Sequence, residues 1–297
     1  MMMLADFIQT HALVTGASSQ IGRFLIPRLK MAGFTITAIS RQPQPYQRGV
    51  TWQQLDLQVT TLPISPSQPY LLFHLAPLPL LPFGLARLAQ PAAIKRIIAF
   101  SSTSCFSKRT STDPQERAIV AQLTKAEQSL INWCQVKQVE WTLFRPTLIY
   151  GCGQDKNVSF IAQFIRRFGF FPLLGQGKGL RQPVHADDLA AACIQAALSL
   201  TAVNRAYNLS GGQTLSYRAM VEAIFQQLGK KPYIFSIPLP AFKLLVYSMA
   251  WLPTFAHLST AMITRMNQDL CFDHSTAHHD FGYCPRKFSD NDMGILK

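Results

Sequence analysis

The sequence predicts an α/β fold in which a doubly wound parallel sheet is joined to a smaller, mainly helical C-terminal lobe. In the first half of the chain, apolar runs rich in Val, Ile, Leu and Phe alternate with longer segments of helical periodicity. This alternation is typical of parallel strands joined by crossover helices. Beyond Gly151 the alternation weakens and helical patterns dominate. With 297 residues the chain is long enough to bury a large core.

The first half contains six predicted strands, each a short apolar run bounded by turn residues. They cover residues 11–15, 34–39, 50–53, 70–75, 96–100 and 140–144. Helices are predicted at residues 20–31 and 115–136. The second of these has Asp113 as N-cap and Pro114 at its first position, as helix starts favour.

The crossover segments 58–69 and 77–91 carry seven prolines between them, which argues against regular helices there. Beyond Gly151, helices are predicted at residues 158–168, 187–198 and 217–228 and in the region 241–270. We therefore assign residues 1–150 to the sheet domain, with 182–210 returning to it, and residues 151–297 mainly to the second lobe.

One stretch within the last helical region complicates this assignment. Residues 244–264 contain no Asp, Glu, Lys or Arg and have about the length of a membrane span. Pro253 lies near the middle of the stretch, so two buried helices meeting at a proline turn are predicted instead of an integral span. Peripheral membrane contact through this basic, apolar end stays open as an alternative.

Charge and cysteine usage narrow the class of partner. The 28 basic and 15 acidic residues give a net charge of +13, which attracts anions. The basic residues occur singly and in pairs, without the clusters of a nucleic-acid surface, so a small anionic molecule is the predicted partner. The six cysteines form no CxxC pair, which predicts a reducing, cytoplasmic location. His274 and His278 are spaced like metal ligands but lack a convincing third ligand, so no metal site is predicted.

A glycine-containing turn lies between the first predicted strand and the first predicted helix. Gly16 permits a tight turn and Gly22 permits close approach of helix and strand, whereas Ser19 stands at the middle position of the GxxGxxG pattern. Backbone N–H groups at such a helix N-terminus hold the pyrophosphate of a dinucleotide. A plain strand–helix turn is the alternative. The residues predicted to contact the cofactor here are Gly16, Ser18, Ser19, Gln20, Ile21 and Gly22.

The end of the second strand indicates which dinucleotide is bound. An acidic residue there would hold the ribose 2′-hydroxyl of NAD, but the sequence has Ser40 followed by Arg41. A small hydroxyl and a guanidinium suit a 2′-phosphate, so NADP(H) is favoured over NAD(H). The alternative is an ordinary exposed surface arginine. Asp56 and Leu57, after the third strand, are predicted to meet the adenine.

Ordered motifs extend through nearly the whole chain. They are residues 15–22, His74-Leu75-Ala76, Phe100-Ser101-Ser102-Thr103-Ser104, Lys125-Ala126-Glu127, Arg145-Pro146-Thr147-Leu148-Ile149-Tyr150-Gly151, residues 181–190 and Tyr207-Asn208-Leu209-Ser210. In this order and spacing they resemble the extended NAD-dependent epimerase/dehydratase branch of the short-chain dehydrogenase/reductase superfamily. The resemblance implies a Rossmann-like fold and a nicotinamide cofactor.

The resemblance also implies roles for individual residues. Thr103, with Ser102 beside it, matches the hydroxyl that binds the substrate, and Lys125 matches the lysine that binds the nicotinamide ribose. Cofactor contacts are further implied for Leu75, Ala76 and Pro146. The alternatives are an exposed helix lysine for Lys125 and a polar strand end that caps the turn for the serine-rich run.

Two positions decide what chemistry the resemblance allows. The family's catalytic tyrosine corresponds to Ala121, which has no proton to donate, and Tyr150 is the candidate replacement. Arg181 matches the arginine that grips a substrate diphosphate, the alternative being a salt bridge to Asp187 or Asp188. The predicted function is an NADP(H)-dependent oxidoreductase or epimerase-like protein acting on a nucleotide sugar or similar anionic alcohol or ketone. The alternative is a non-catalytic NAD(P)-binding sensor or structural subunit.

Overall fold

The computed structural model describes residues 11–63, 69–88, 91–155, 157–238 and 267–288. The elements up to residue 146 are β1 (His11–Thr15), α1 (Gln20–Met31), β2 (Thr35–Ser40), β3 (Val50–Gln54), β4 (Tyr70–His74), α2 (Leu81–Ala86), β5 (Ile94–Phe100), α3 (Ser104–Ser107), α4 (Pro114–Lys137) and β6 (Glu140–Pro146). The later elements are β7 (Ile149–Tyr150), α5 (Val158–Phe168), β8 (Phe171–Leu174), β9 (Leu180–Arg181), β10 (Val184–His185), α6 (Ala186–Leu198), β11 (Arg205–Leu209), β12 (Leu215–Ser216), α7 (Tyr217–Gln227), β13 (Ile234–Ile237) and α8 (Ser275–Phe281).

A seven-stranded parallel sheet forms the centre of the fold, with the order β11-β6-β5-β4-β1-β2-β3. All five residues of β4 are buried, as expected where helices cover both faces of a parallel sheet. The strand order reverses between β1 and β4. In open α/β sheets, ligands bind at the carboxyl edge of such a switch point.

The predicted helix starts are confirmed. Asp113 caps α4 by accepting a hydrogen bond from the backbone N–H of Gln115, and Pro114 is the first helical residue. Ser19 caps α1 by accepting from the N–H of Gly22 at 3.3 Å. This hydrogen bond joins the N-terminus of α1 to the glycine turn.

The proline-rich crossovers behave differently from one another. Residues 58–63 contain no helix, in agreement with the prediction. Between β4 and β5, however, α2 forms despite the four prolines of this crossover, because Pro82 lies in its first turn, where a missing N–H costs no hydrogen bond. Of the helical region predicted at 241–270, residues 241–266 lie outside the described residues, and residues 267–270 are not helical.

Later parts of the chain pack back onto the sheet. α6 lies against α1, and β11 pairs with β6 at the sheet edge. Asp187, in the first turn of α6, forms ion pairs of 2.6 Å with both Arg28 of α1 and Arg286. Arg286 also bonds Asp188 at 2.7 Å. These aspartates thus hold α1, α6 and the 267–288 segment together.

The 267–288 segment completes two buried clusters. Phe281 contacts the ring of Tyr207 at 5.1 Å, and the hydroxyl of Tyr283 donates to the carbonyl of Ser210 at 3.0 Å. Phe288 is fully buried against Tyr150 in the core formed by α5, α7 and β8. Among the described residues, no helix has the length and apolarity to cross a membrane.

Candidate functional site

A cavity of about 240 Å³ lies at the carboxyl ends of β1, β2 and β4, at the switch point of the sheet. Nine residues singled out from the sequence line it: Gly16, Ser18, Ser19, Ser40, Arg41, Asp56, Leu57, Leu75 and Ala76. Ile39, Leu55, Pro77 and Leu80 add apolar wall. The topology thus brings together residues that are up to 60 positions apart in the sequence.

The glycine turn is shaped by its contact with the end of β4. Gly16 has a φ of +68°, and a Cβ there would lie 2.5 Å from the backbone nitrogen of Ala76. A Cβ at Gly22 would lie 2.1 Å from the carbonyl oxygen of Ala17. Neither position has room for a side chain, so both glycines are required for a turn this close to its neighbours.

At the far end of the cavity, where β2 ends, the chain has Ser40 and Arg41 and no carboxylate. The buried Ser40 hydroxyl donates to the Ser18 hydroxyl at 3.2 Å and accepts from the backbone N–H of Gln42 at 3.2 Å. Arg41 is exposed on the rim. The Asp56 carboxylate, across the cavity, accepts from the N–H of Gln58 at 2.9 Å and so caps its own turn. This end of the cavity therefore presents a hydroxyl and a guanidinium from the end of β2 and a carboxylate from the turn after β3.

His74 links the end of β1 to the cavity-lining residue Pro77 through its two ring nitrogens. It is fully buried, with Nδ1 2.7 Å from the Thr15 hydroxyl and Nε2 3.3 Å from the carbonyl oxygen of Pro77. Since the carbonyl only accepts, Nε2 carries the proton and Nδ1 accepts from Thr15. Burial lowers the pKa of His74 to about 4, against the opposing bond to Pro77, so the ring is neutral at pH 7.

A larger cleft of about 680 Å³ lies beside this cavity. The two meet at the N-terminus of α1, because Ser18 and Ser19 line the small cavity and Gln20 lines the cleft. Its polar lining consists of Gln20, Ser102, Thr103, Ser104, Ser107, Lys108, Thr147, Gln154, Asp155, Asn157, Arg181, Gln182 and Tyr217. The Gln20 side-chain oxygen Oε1 is buried without a hydrogen-bond partner, so it offers an acceptor at the junction.

The predicted hydroxyls lie in this cleft but are engaged. The Thr103 hydroxyl donates to the carbonyl of Pro146 at 3.0 Å, and Ser102 donates to Ser104 at 3.0 Å. Thr103 is also 6% exposed, so only a small part of it is accessible. To polarise a substrate carbonyl, Thr103 would have to release Pro146. Pro146 itself lines neither cavity and contributes this carbonyl instead.

Arg181 lies on the opposite side of the cleft. Its guanidinium donates to the carbonyls of Leu180 and Gln268, each at 2.7 Å, and lies 5.8 Å from the ring centroid of Tyr217. The alternative prediction of a salt bridge to Asp187 or Asp188 is wrong, because Arg28 and Arg286 pair with those carboxylates. Burial raises the pKa of Tyr217 to about 12, against the opposing charge of Arg181, so its hydroxyl stays protonated.

Two positions of the implied proton-transfer pair are not brought to the cleft. Ala121 and Lys125 are exposed on α4 and line neither cavity. The buried face of α4 instead presents Glu127, which forms an ion pair of 2.6 Å with Arg145. Arg145 lies over the ring of Phe106, so this part of the helix supports α3 structurally.

Tyr150 is not placed as a replacement acid. It is fully buried between His185 and Phe288, and its hydroxyl has no hydrogen-bond partner. Burial, with a smaller contribution from the charge of Asp188, raises its pKa well above the ordinary value. It lines neither of the two cavities. Ile21 is buried in the core behind the glycine turn.

Several lining residues escaped the sequence analysis. Lys108, Gln154, Tyr217 and Phe272 come from four different segments, and no local pattern marks them. Phe272 reaches the cleft by contact with Phe106 at 6.0 Å, a pairing of residues far apart in the chain. Within the described part of the chain, no cluster of three or more His, Cys, Asp or Glu is arranged for a metal.

Comparison with known proteins agrees with this architecture. The model of the "NAD dependent epimerase/dehydratase family" matches residues 80–210. The chain is 24% identical over 148 residues to NADH dehydrogenase (ubiquinone) 1 alpha subcomplex subunit 9, mitochondrial, of Arabidopsis thaliana. That match covers 50% of this chain and only 35% of the relative's length.

Two solved structures share the fold over nearly the whole chain. Epimerase Mth375 of Methanothermobacter thermautotrophicus is 15% identical with a TM-score of 0.70, covering 99% of this chain and 94% of its own. MoeE5 in complex with UDP-glucuronic acid and NAD is 19% identical with a TM-score of 0.71, covering 96% of each chain. The chain is therefore similar to the NAD-dependent epimerase/dehydratase family over residues 80–210, and it shares its Rossmann-like fold with these two solved structures.

Proposed function

We propose that this protein binds NADP(H) and acts as an oxidoreductase or epimerase-like protein on a nucleotide sugar or similar anionic alcohol or ketone. One observation carries the proposal: nine of the fourteen residues predicted for the cofactor line a single cavity at the switch point, and that cavity opens beside a larger polar cleft. The shared boundary at α1 gives a dinucleotide access to both spaces.

The preference for NADP(H) rests on the end of β2. Ser40 occupies the place where a carboxylate would accept from the ribose hydroxyls of NAD, so no negative charge opposes a 2′-phosphate there. The exposed Arg41 guanidinium lies on the rim of the same cavity and offers charge-assisted donors. Among the described residues that line the cavity, Asp56 is the only acidic one, and its carboxylate already accepts from the N–H of Gln58.

The charge of the large cleft supports an anionic substrate. Arg181 and Lys108 line it, and Asp155 is the one acidic residue among the described residues of its lining. The Asp155 carboxylate is already used, because it accepts from the N–H groups of Asn157 and Ser159 at 3.0 Å. MoeE5 was solved with UDP-glucuronic acid, and a similar diphosphate here would meet Arg181.

The cleft contains residues that would orient a substrate, but it lacks an evident pair of residues for proton transfer. A bound nicotinamide would supply the hydride acceptor or donor. Ser102 and Thr103 would orient the substrate oxygen, and Arg181 would hold the far end of the substrate. With Ala121 and Lys125 facing outward, the family's acid–base pair is missing. Loss of a positioned general acid lowers rates by about 10²- to 10⁴-fold without abolishing binding, so slow turnover is expected.

A second function is favoured by the same absence. A cofactor-binding subunit without turnover needs the small cavity but not the proton donor, and the Arabidopsis relative is named as a subunit of a larger assembly. In this interpretation the dinucleotide would stabilise the fold or report redox state. The large cleft would then hold no reacting substrate.

Purified full-length protein separates these functions. Calorimetric titration with NADPH and NADH measures binding, and mass spectrometry identifies any dinucleotide that co-purifies. Oxidation of NADPH is then followed by the loss of its absorbance at 340 nm in the presence of a panel of UDP-sugars and 4-keto sugars. Binding with turnover supports the first function, and binding without turnover on any substrate supports the second. Failure to bind either dinucleotide contradicts both.

A further inference from the structure

An aromatic patch lies on the outer face of α5 and the β8–β13 pair. It consists of Phe160, Phe164, Phe168, Phe170 and Phe235. Neighbouring ring centroids are 4.6 to 6.4 Å apart. Phe160, Phe168 and Phe235 are 50% to 60% exposed, so the patch is a continuous apolar surface in contact with solvent.

The packing of α5 explains only part of the patch, because Phe164 contacts the lobe core whereas Phe160 and Phe168 remain exposed. The inner face of this helix already buries Val158, Ile161 and Ile165 in the lobe core. Beside this inner face, α5 carries three phenylalanines at positions four residues apart, of which Phe164 is half-buried and Phe160 and Phe168 are exposed. Contiguous exposed apolar surface of this kind marks an interaction site.

Basic groups border the aromatic patch. The Arg167 guanidinium lies 5.3 Å from the ring centroid of Phe168. The Lys230 ammonium group donates to the carbonyls of Ile165 and Arg166 at 3.2 Å, which places its charge at the end of α5. Lys231 is exposed beside it. These residues define the basic rim of the patch.

Acidic groups are sparse around the patch. On the neighbouring α7, Glu222 lies 3.9 Å from Arg218, so its charge is offset locally. Arg218 in turn donates to the Ser236 hydroxyl of β13 at 2.7 Å. The charge presented with the phenylalanines is therefore positive, which complements an anionic partner.

The patch is also continuous in sequence with the least charged part of the chain. β13 contributes Phe235 and ends at Ile237, and residues 244–264, which lack Asp, Glu, Lys and Arg, follow shortly afterwards. Aromatic rings with adjacent basic side chains are the composition that binds at the headgroup level of a bilayer.

We propose that the aromatic patch and its basic rim bind the surface of an anionic lipid bilayer. The exposed rings insert at the boundary between headgroups and acyl chains, while Arg167 and Lys231 pair with lipid phosphates. Binding there leaves the dinucleotide cavity untouched, because none of the patch residues lines it. The proposal is independent of whether the large cleft turns over a substrate.

Vesicle flotation of the full chain tests the proposal. The vesicles are pure phosphatidylcholine or contain about one third phosphatidylglycerol, and wild type is expected to float only with the anionic ones. Arg167→Glu and Lys231→Glu should each weaken partitioning about fivefold or more. Phe168→Ser together with Phe235→Ser should weaken it about tenfold or more, through lost apolar burial.

Matched controls use exposed residues elsewhere. Phe83→Ser on α2 and Lys95→Glu on β5 should leave flotation unchanged. Thermal melting and NADPH titration of each variant verify that the fold is kept. Three results would overturn the proposal: no flotation of wild type, equal flotation of wild type and both patch variants, or a wild-type dimer in light scattering that the patch variants convert to monomer. The last result would assign the patch to a second copy of this chain.

Discussion

The small cavity and the large cleft share one boundary but differ in how completely they are equipped. The small cavity is lined by nine residues whose types suit a dinucleotide, and two glycines have no room for a Cβ. The cleft contains hydroxyls that already donate elsewhere, and the implied tyrosine and lysine positions lie outside it. The cavity shaped for a cofactor and the groups that would transfer a proton are thus separate features of this structure. A chain can keep the first without the second.

The largest expected effect tests the small cavity. Gly16→Ala should weaken NADPH binding by about 100-fold or more, because the new Cβ meets the Ala76 backbone in a left-handed conformation. Gly33→Ala is the matched control: it has a similar φ of +82°, but its Cβ would meet nothing within 4 Å. Calorimetric titration of both variants measures the difference. Equal affinities would show that the turn does not hold the cofactor.

The second prediction tests whether the cofactor is NADPH or NADH. Arg41→Ala should weaken NADPH binding by about 10- to 100-fold and leave NADH binding within about twofold, since a charge-assisted contact to the 2′-phosphate is lost. The exposed Arg48, which lines neither cavity, provides the control Arg48→Ala. If wild type binds NADH and NADPH equally, the assignment of Ser40 and Arg41 to a 2′-phosphate is wrong.

A pH effect tests the support of the cavity by His74. Its native pKa of about 4 lies below the unfolded value of 6.5, so folding favours the neutral ring. The resulting stability is present above pH 6.5 and is lost as the pH falls from 6.5 toward 4. Urea unfolding across this range should show a steeper loss for wild type than for His74→Gln. The exposed His279→Gln should keep the wild-type slope.

The smallest expected effects lie on α4. Ala121→Tyr and Lys125→Ala should change NADPH affinity and turnover by less than about twofold, because both side chains face solvent. The measurement is steady-state kinetics with whichever UDP-sugar or 4-keto sugar of the panel is turned over fastest. A tenfold gain for Ala121→Tyr would mean that this face of α4 reaches the nicotinamide, and the difference between the two cavities would then be much smaller.

Local patterns predicted the sheet well, for reasons visible in particular residues. Each strand of the first half carries its own apolar run, and the predicted cap Asp113 marks the start of α4. In the glycine turn only the contact of Gly22 with Ala17 is local, whereas Gly16 meets the end of β4. Its partner across the cavity, Ala76, was implied by the resemblance alone.

The orientation of α4 could not be derived in the same way. Residues 121 and 125 share one helix face, but which face meets the sheet depends on the Glu127–Arg145 pair and on the packing of α3. The lining of the cleft was even harder to predict from the sequence, since Lys108, Tyr217 and Phe272 are brought together only by the tertiary fold. Likewise, the partners of Asp187 come from α1 and from a segment 99 positions away, which spacing along the chain does not reveal.

The return of residues 273–288 to the sheet has a consequence for biosynthesis. Tyr283 and Phe288 close clusters whose other members, such as Tyr150 and Tyr207, leave the ribosome much earlier. Until Phe288 has emerged, a nascent chain exposes these aromatic surfaces and lacks the Arg286 bonds to Asp187 and Asp188. Such intermediates expose apolar surface and aggregate readily. The order of synthesis thus leaves both clusters incomplete until Tyr283 and Phe288 have been made.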